Sequence, residues 1–147
     1  MNYTSIDAKK ELAQALLRTH VHSMRLVELD LAVALLLGKD VQLPDAGLPG
    51  LDEPPLVDVG GQWVPFSPTT NWDHYGELVS TAGLVQSTLL HWDDPTDPDK
   101  VTGRSYRVHG YYGGVQSEGH DLRLVAARAA ALLLQYQVTF SPDWGNR

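Results

Sequence analysis

The most regular hydrophobic pattern in the chain falls in residues 26–37, LVELDLAVALLL. Leu26, Leu29, Val33, Leu36 and Leu37 form a stripe, and Val27, Leu31, Ala34 and Leu35 cover most of what remains. A helix apolar nearly all round is a buried one. Gly38 followed by Lys39 predicts its end. A second helix is predicted over residues 121–136, where Leu122, Val125, Ala129, Leu132, Leu133 and Tyr136 repeat at helical spacing. Its alanines raise helix propensity and permit close packing. A third helix with a loose end is expected within residues 1–23. Thr4 or Ser5 would cap it, and Leu12, Ala15, Leu16 and Thr19 would share a face. The polar run 18–25, RTHVHSMR, is either a break or a continuation.

Alternating apolar positions predict the strands. Leu56–Val59 and Gln62–Phe66 flank Gly60-Gly61, a tight hairpin in which both central residues take positive φ. A short strand is expected at Val41–Leu43, and longer ones at Leu84–Trp92 and Arg104–Tyr112. Residues 67–83 read as polar and aromatic, then helical. Asp93–Lys100 reads as a surface loop and Gly113–Gly119 as a flexible one. The order predicts an α+β fold: a small antiparallel sheet, with an N-terminal helical pair and a long C-terminal helix packed on one face. The corresponding division is an N-terminal helical extension over 1–25, one α+β domain over 26–137, and a tail over 138–147. Phe140-Ser141-Pro142-Asp143-Trp144 in that tail echoes Phe66-Ser67-Pro68 and Trp72, over too few residues to make a repeat.

Composition narrows the function. The chain has 147 residues, and a chain of this size buries about 70% of its unfolded surface without staples. It has no cysteine, which excludes disulfides, a thiol nucleophile and sulfur-ligated zinc. Its formal net charge of −7 disfavours binding to duplex nucleic acid. No apolar run is long enough to span a bilayer and nothing reads as a signal peptide, so no membrane partner and a cytoplasmic protein are expected.

Three stretches together resemble the NinX-like family of small phage and prophage proteins. The first is Leu29-Asp30-Leu31-Ala32-Val33-Ala34 with Gly38 after it, where the family commonly has Trp in place of Leu31. The second is Phe66-Ser67-Pro68-Thr69-Thr70-Asn71-Trp72 followed by Gly76, where the family has an aromatic, Ser-Pro-Ser-Thr-Asp-Trp and a glycine-containing turn. The third is Leu122 through Arg128, similar to a family Leu-Ile-Ala-Ala-Met-Arg, with His120-Asp121 where the family usually has Thr-Pro. The resemblance covers roughly residues 26–137. It implies a phage or prophage origin in a bacterial host and a fold. It implies no reaction, because the family's domain carries no settled activity.

The segment Ser67, Thr69, Thr70, Asn71 and Trp72 is the candidate ligand site. Its short polar side chains can meet a ligand while the indole offers a stacking face. Tyr75 and His74 add amphipathic surface. The competing reading is architectural: Ser, Thr and Asn favour turns by bonding nearby backbone, and Trp72 would plug the core. Arg128 and Asp30 lie in otherwise apolar helices and need partners. They are expected to pair with each other, or with polar groups of loops, as a structural ion pair. The functional alternative is that Arg128, with Arg123, Arg104 or Arg107, reads a phosphate near Thr69–Trp72.

No metal site is expected. His20 and His22 lie on different helix faces, and His91, His109 and His120 would converge only through the fold. Asp93, Asp94, Asp97 and Asp99 lack the glycine and terminal glutamate of a calcium loop. There is no Gly-x-Ser-x-Gly elbow, Walker loop or GxGxxG fingerprint, and Gly110–Gly114 reads as turn, so no cofactor is expected. The first expectation is therefore a non-catalytic phage or prophage protein that binds a small polar or nucleotide-like ligand and sequesters a host signal. One alternative is an interaction module that inhibits a host enzyme through the acidic Asp93–Asp99 loop. Another is a small nucleotide-directed hydrolase using His74, Asp73 or His109. A homo-oligomer is also expected to be open to the chain, because the alanine-rich helix and the N-terminal helix offer more apolar surface than a small sheet covers.

Overall fold

A computed structural model of the chain describes residues 1–92, 96, 97, 99, 101–110, 115–141 and 144; for Trp92 and Thr102 it describes only the backbone. The fold is α+β, with four helices and two small antiparallel sheets among the described residues. A two-residue strand, β1 (Asn2–Tyr3), leads into α1 (Ile6–Leu16) and, after a 3₁₀ turn at Val21–Ser23, α2 (Leu26–Leu36). Strands β2 (Val41–Gln42), β3 (Leu56–Val59) and β4 (Gln62–Pro65) follow, then α3 (Trp72–Thr81). The chain closes with β5 (Leu84–Trp92), β6 (Val101–Gly110), β7 (Gln116–Gly119) and α4 (Leu122–Phe140). One sheet runs β1-β2-β3-β4 and the other β5-β6-β7.

Local chemistry explains these boundaries. Ser5 caps α1 by accepting from the Ala8 N–H at 3.1 Å, so Ser5 and not Thr4 starts the helix. Leu12, Ala13 and Leu16 are its buried face. The helix stops at Leu16, and the RTHVHSMR run is the break between α1 and α2. Glu28 accepts from the Arg25 N–H at 3.0 Å and closes the start of α2. At its end Gly38 has φ +74, and the Gly38 and Lys39 N–H groups reach back to the Leu35 and Ala34 carbonyls at 3.1 and 3.0 Å. That pair of bonds is the left-handed cap for which glycine is suited. Gly60 and Gly61, at φ +61 and +86, make the predicted hairpin turn between β3 and β4.

The expected single sheet is two. The N-terminal residues Asn2–Tyr3 add a strand to β2, and the segment read as flexible supplies β7, which pairs with β6 from Tyr106↔Gly119 to His109↔Gln116. Strand β6 begins at Val101, three residues before the expected Arg104, because it pairs along the whole of β5. Residues 111 and 112 of the expected strand, and 111–114 of the glycine-rich run, lie outside the described residues. Helix α4 runs to Phe140, so Val138–Phe140 are helical rather than tail.

The core is one cluster. Helix α4 packs against α2 on one side and against β6 and β7 on another. Ala126, Ala127, Ala129, Ala130 and Ala131 are fully buried and bring those surfaces together at close range. Leu12, Ala13 and Leu16 of α1 and Trp144 near the C-terminal end belong to the same cluster as Leu29, Val57, Phe66 and Val108.

Candidate functional site

The candidate segment connects β4 to α3. Phe66 sinks into the core, and the chain turns at once: the Ser67 carbonyl accepts from the N–H groups of Thr70 and Asn71 at 3.0 and 2.8 Å. His74, in the first turn of α3, accepts the Ser67 N–H on Nδ1 at 3.0 Å, and its ring lies 5.0 Å from that of Phe66. Asn71 is the N-cap of α3, its Oδ1 accepting from the N–H groups of Asp73 and His74. Short polar residues are favoured there because their side chains replace the missing helical acceptors.

Asp30 explains Thr69. One carboxylate oxygen, Oδ1, accepts both the Thr69 N–H at 3.0 Å and the Thr69 hydroxyl at 2.8 Å. Both residues are buried. Burial raises the Asp30 pKa to about 6, and the two bonds from Thr69 pull in the opposite direction. Asp30 therefore meets a polar loop rather than Arg128, and no ion pair joins Asp30 to Arg128 among the described residues. The Arg128 Nε is buried without a hydrogen-bond partner among those residues.

The guanidinium that reaches the segment belongs to Arg123. Its Nη1 donates to the Thr70 carbonyl at 2.8 Å, and its Cζ lies 4.5 Å from the centroid of the Trp72 ring. Arg123 stands in the first turn of α4, behind the Asp121 cap that accepts its N–H. Five residues separate it from Arg128, or about 140° around a helix at 3.6 residues per turn, so the two cannot serve one point together.

Trp72 itself is 56% exposed, which excludes a plug in the core. Tyr75 meets it edge-on at 5.1 Å, and the Tyr75 hydroxyl donates to Gln86 Oε1 on β5. Burial first, and then the nearby Tyr106, hold the Tyr75 phenol above its ordinary pKa. Of the five residues picked out in the sequence, Thr69 and Asn71 are committed to the fold, Ser67 and Thr70 shape the turn through their backbone, and Trp72 faces outward. Half-buried Tyr75 and Arg123 flank it, and the Arg123 Nε, like that of Arg128, is buried without a hydrogen-bond partner among the described residues. The sequence names Arg123 only as an accessory to Arg128, because it does not reveal which side of α4 faces the loop.

The remaining candidates lie apart. Ser67 and His74 meet through a backbone N–H, not through a hydroxyl. A Ser–His side-chain contact does occur on the second sheet, His91 Nε2 to Ser105 Oγ at 2.9 Å, but Ser105 is 4% exposed. Arg107 pairs with Glu118 at 3.1 Å, His109 Nδ1 lies 3.2 Å from the Gly110 carbonyl, and His120 Nδ1 is 3.1 Å from the Arg104 carbonyl. His20 accepts the His22 N–H. No group of three His, Cys, Asp or Glu that could hold a metal occurs among the described residues. Asp93 and Asp94 of the acidic loop lie outside those residues, and Asp97 accepts the Asp99 N–H at 3.1 Å. A cleft of about 440 Å³ lies elsewhere, between Lys9, the ends of α2 and α3, Gln137 and Trp144. No described helix is long and apolar enough to cross a membrane.

No protein-family model and no curated protein matches the chain.

Proposed function

We propose that this is a non-catalytic binding protein that takes a planar, phosphate-bearing ligand of the nucleotide class on Trp72, Tyr75 and Arg123. The observation that carries the proposal is an indole 56% exposed with a guanidinium 4.5 Å from its centroid. Arg123 covers one face and Tyr75 meets the ring at a right angle, and what remains of the indole is open. A base stacks there, gaining about 1–3 kcal/mol. The guanidinium Nε is buried, but the Nη groups keep donors beyond the bond to Thr70, and these suit phosphate oxygens. The mount is rigid. Asn71 caps the helix that carries Trp72, and Thr69 and Thr70 are each tied to a different helix. A rigid aromatic platform loses little entropy when it binds. The NinX-like resemblance supports a phage or prophage accessory role in a bacterial cytoplasm, where such a protein would sequester a host signal.

Titration calorimetry with mononucleotides, dinucleotides and cyclic dinucleotides tests this. At least one should bind, and Trp72→Ala should weaken it tenfold or more by about 1.4 kcal/mol per decade. Arg123→Lys keeps the charge but loses the planar stack, and should also weaken it. Absence of heat with every member, or binding undiminished in Trp72→Ala, would refute the reading.

A further inference from the structure

Three helices finish around one cleft of about 440 Å³, a volume suited to a small molecule. Leu36, Leu37 and Gly38 bring the end of α2 to it, Thr81 and Ala82 the end of α3, and Gln137 the last turn of α4. None of these last turns carries a basic residue. A helix C-terminus presents unsatisfied carbonyls and about half a negative charge, and a cation is its ordinary complement. Among the described residues, the carbonyls of Leu36, Leu37, Thr81 and Ala82 accept no hydrogen bond.

Lys9 is the basic residue in the wall, and its charge is already matched. Its Nζ lies 2.6 Å from the Asp40 carboxylate and donates to the Gly38 carbonyl at 3.2 Å. Ile6 of α1, Leu35 of α2 and Trp144, which is 5% exposed, make the apolar part of the wall. No carboxylate lines the cleft among the described residues, so a hard metal ion lacks the charged oxygens it prefers. A carboxylate or phosphate head would face carbonyl oxygens. We propose that the cleft binds an organic ammonium ion, its N–H donors on the free carbonyls at the ends of α2 and α3 and its apolar chain along Ile6, Leu35 and Trp144. This site is separate from Trp72 and does not rest on the nucleotide reading.

NMR titration of the full chain with hexylammonium chloride tests the proposal at about pH 7, where an alkylamine is protonated. The amide signals of Leu36–Gly38, Thr81 and Ala82 should shift and saturate with a Kd of about 1 mM or below. At constant ionic strength, 1-hexanol carries the same chain without the charge and should bind at least about tenfold more weakly, and hexanoate no better than the alcohol. Gln137→Lys places a cation in the cleft and should weaken hexylammonium at least about tenfold. Gln135→Lys makes the same change at an exposed position of α4 outside the cleft, and should leave the Kd within about twofold. That pair separates the cleft from general attraction to a chain of net charge −7. Thr81→Lys, exposed on α3, should weaken binding as Gln137→Lys does, so a folding defect in one variant does not mask the outcome. Trp72→Ala should leave hexylammonium binding unchanged. Absence of a saturable shift up to about 20 mM overturns the proposal. So does equal affinity for the alcohol, equal loss in Gln135→Lys and Gln137→Lys, or loss in Trp72→Ala.

Discussion

Asp30 shows how one buried oxygen positions a surface. Its carboxylate is desolvated, and among the described residues its donors are the N–H and hydroxyl of Thr69. An acid whose folded pKa is raised binds its proton more readily in the folded state than in the unfolded one. Between the unfolded value of 3.8 and the folded value of about 6, the folded state therefore holds more protons. The stability from this group is fully present below 3.8 and is lost as pH rises through about 6. A difference near two units corresponds to about 3 kcal/mol as an upper figure. Asp30→Asn keeps an acceptor for Thr69 and removes the titration. Urea unfolding across pH 4–7 should show the wild type losing stability relative to Asp30→Asn as pH rises. Parallel curves would show that Asp30 does not titrate in this range.

At the scale of elements, the caps determine where the site begins. Asn71→Ala removes the acceptor for two N–H groups at the start of α3, and should cost about 1 kcal/mol. Thermal unfolding would read that loss, and ligand binding at Trp72 should weaken with it. Helix α2, the Gly60-Gly61 hairpin and the Asp121 start of α4 were legible because each has a local cause: apolar periodicity, a positive-φ pair or a capping side chain. Strand β7 was not, because Gln116–Gly119 has a strand's backbone but a turn's composition, and its partner β6 supplies the ordering. The choice between Arg123 and Arg128 was illegible for another reason. Helical spacing relates residues within α4 but does not say which side meets the Thr70 carbonyl. The Asp30–Thr69 bonds are likewise non-local, spanning 39 residues of sequence.

At the scale of the molecule, α4 is the common wall. It meets α2, strands β6 and β7 of the second sheet, and α3. The sequence shows an alanine-rich helix, and the structure shows why alanine is required: five alanines are fully buried around much of its circumference. Ala130→Leu adds three carbons where no room exists and should cost about 1–3 kcal/mol, lowering the midpoint of thermal unfolding. A midpoint unchanged within error would mean that the interior yields more easily than its packing suggests.

Thr69 and Thr70 are neighbours in the chain, yet α2 holds the first and α4 the second. This two-residue stretch therefore works as a gauge of the spacing between two helices, and Trp72 is its pointer. Prying those helices apart, as Ala130→Leu would do, should shift the emission of that indole before the protein unfolds.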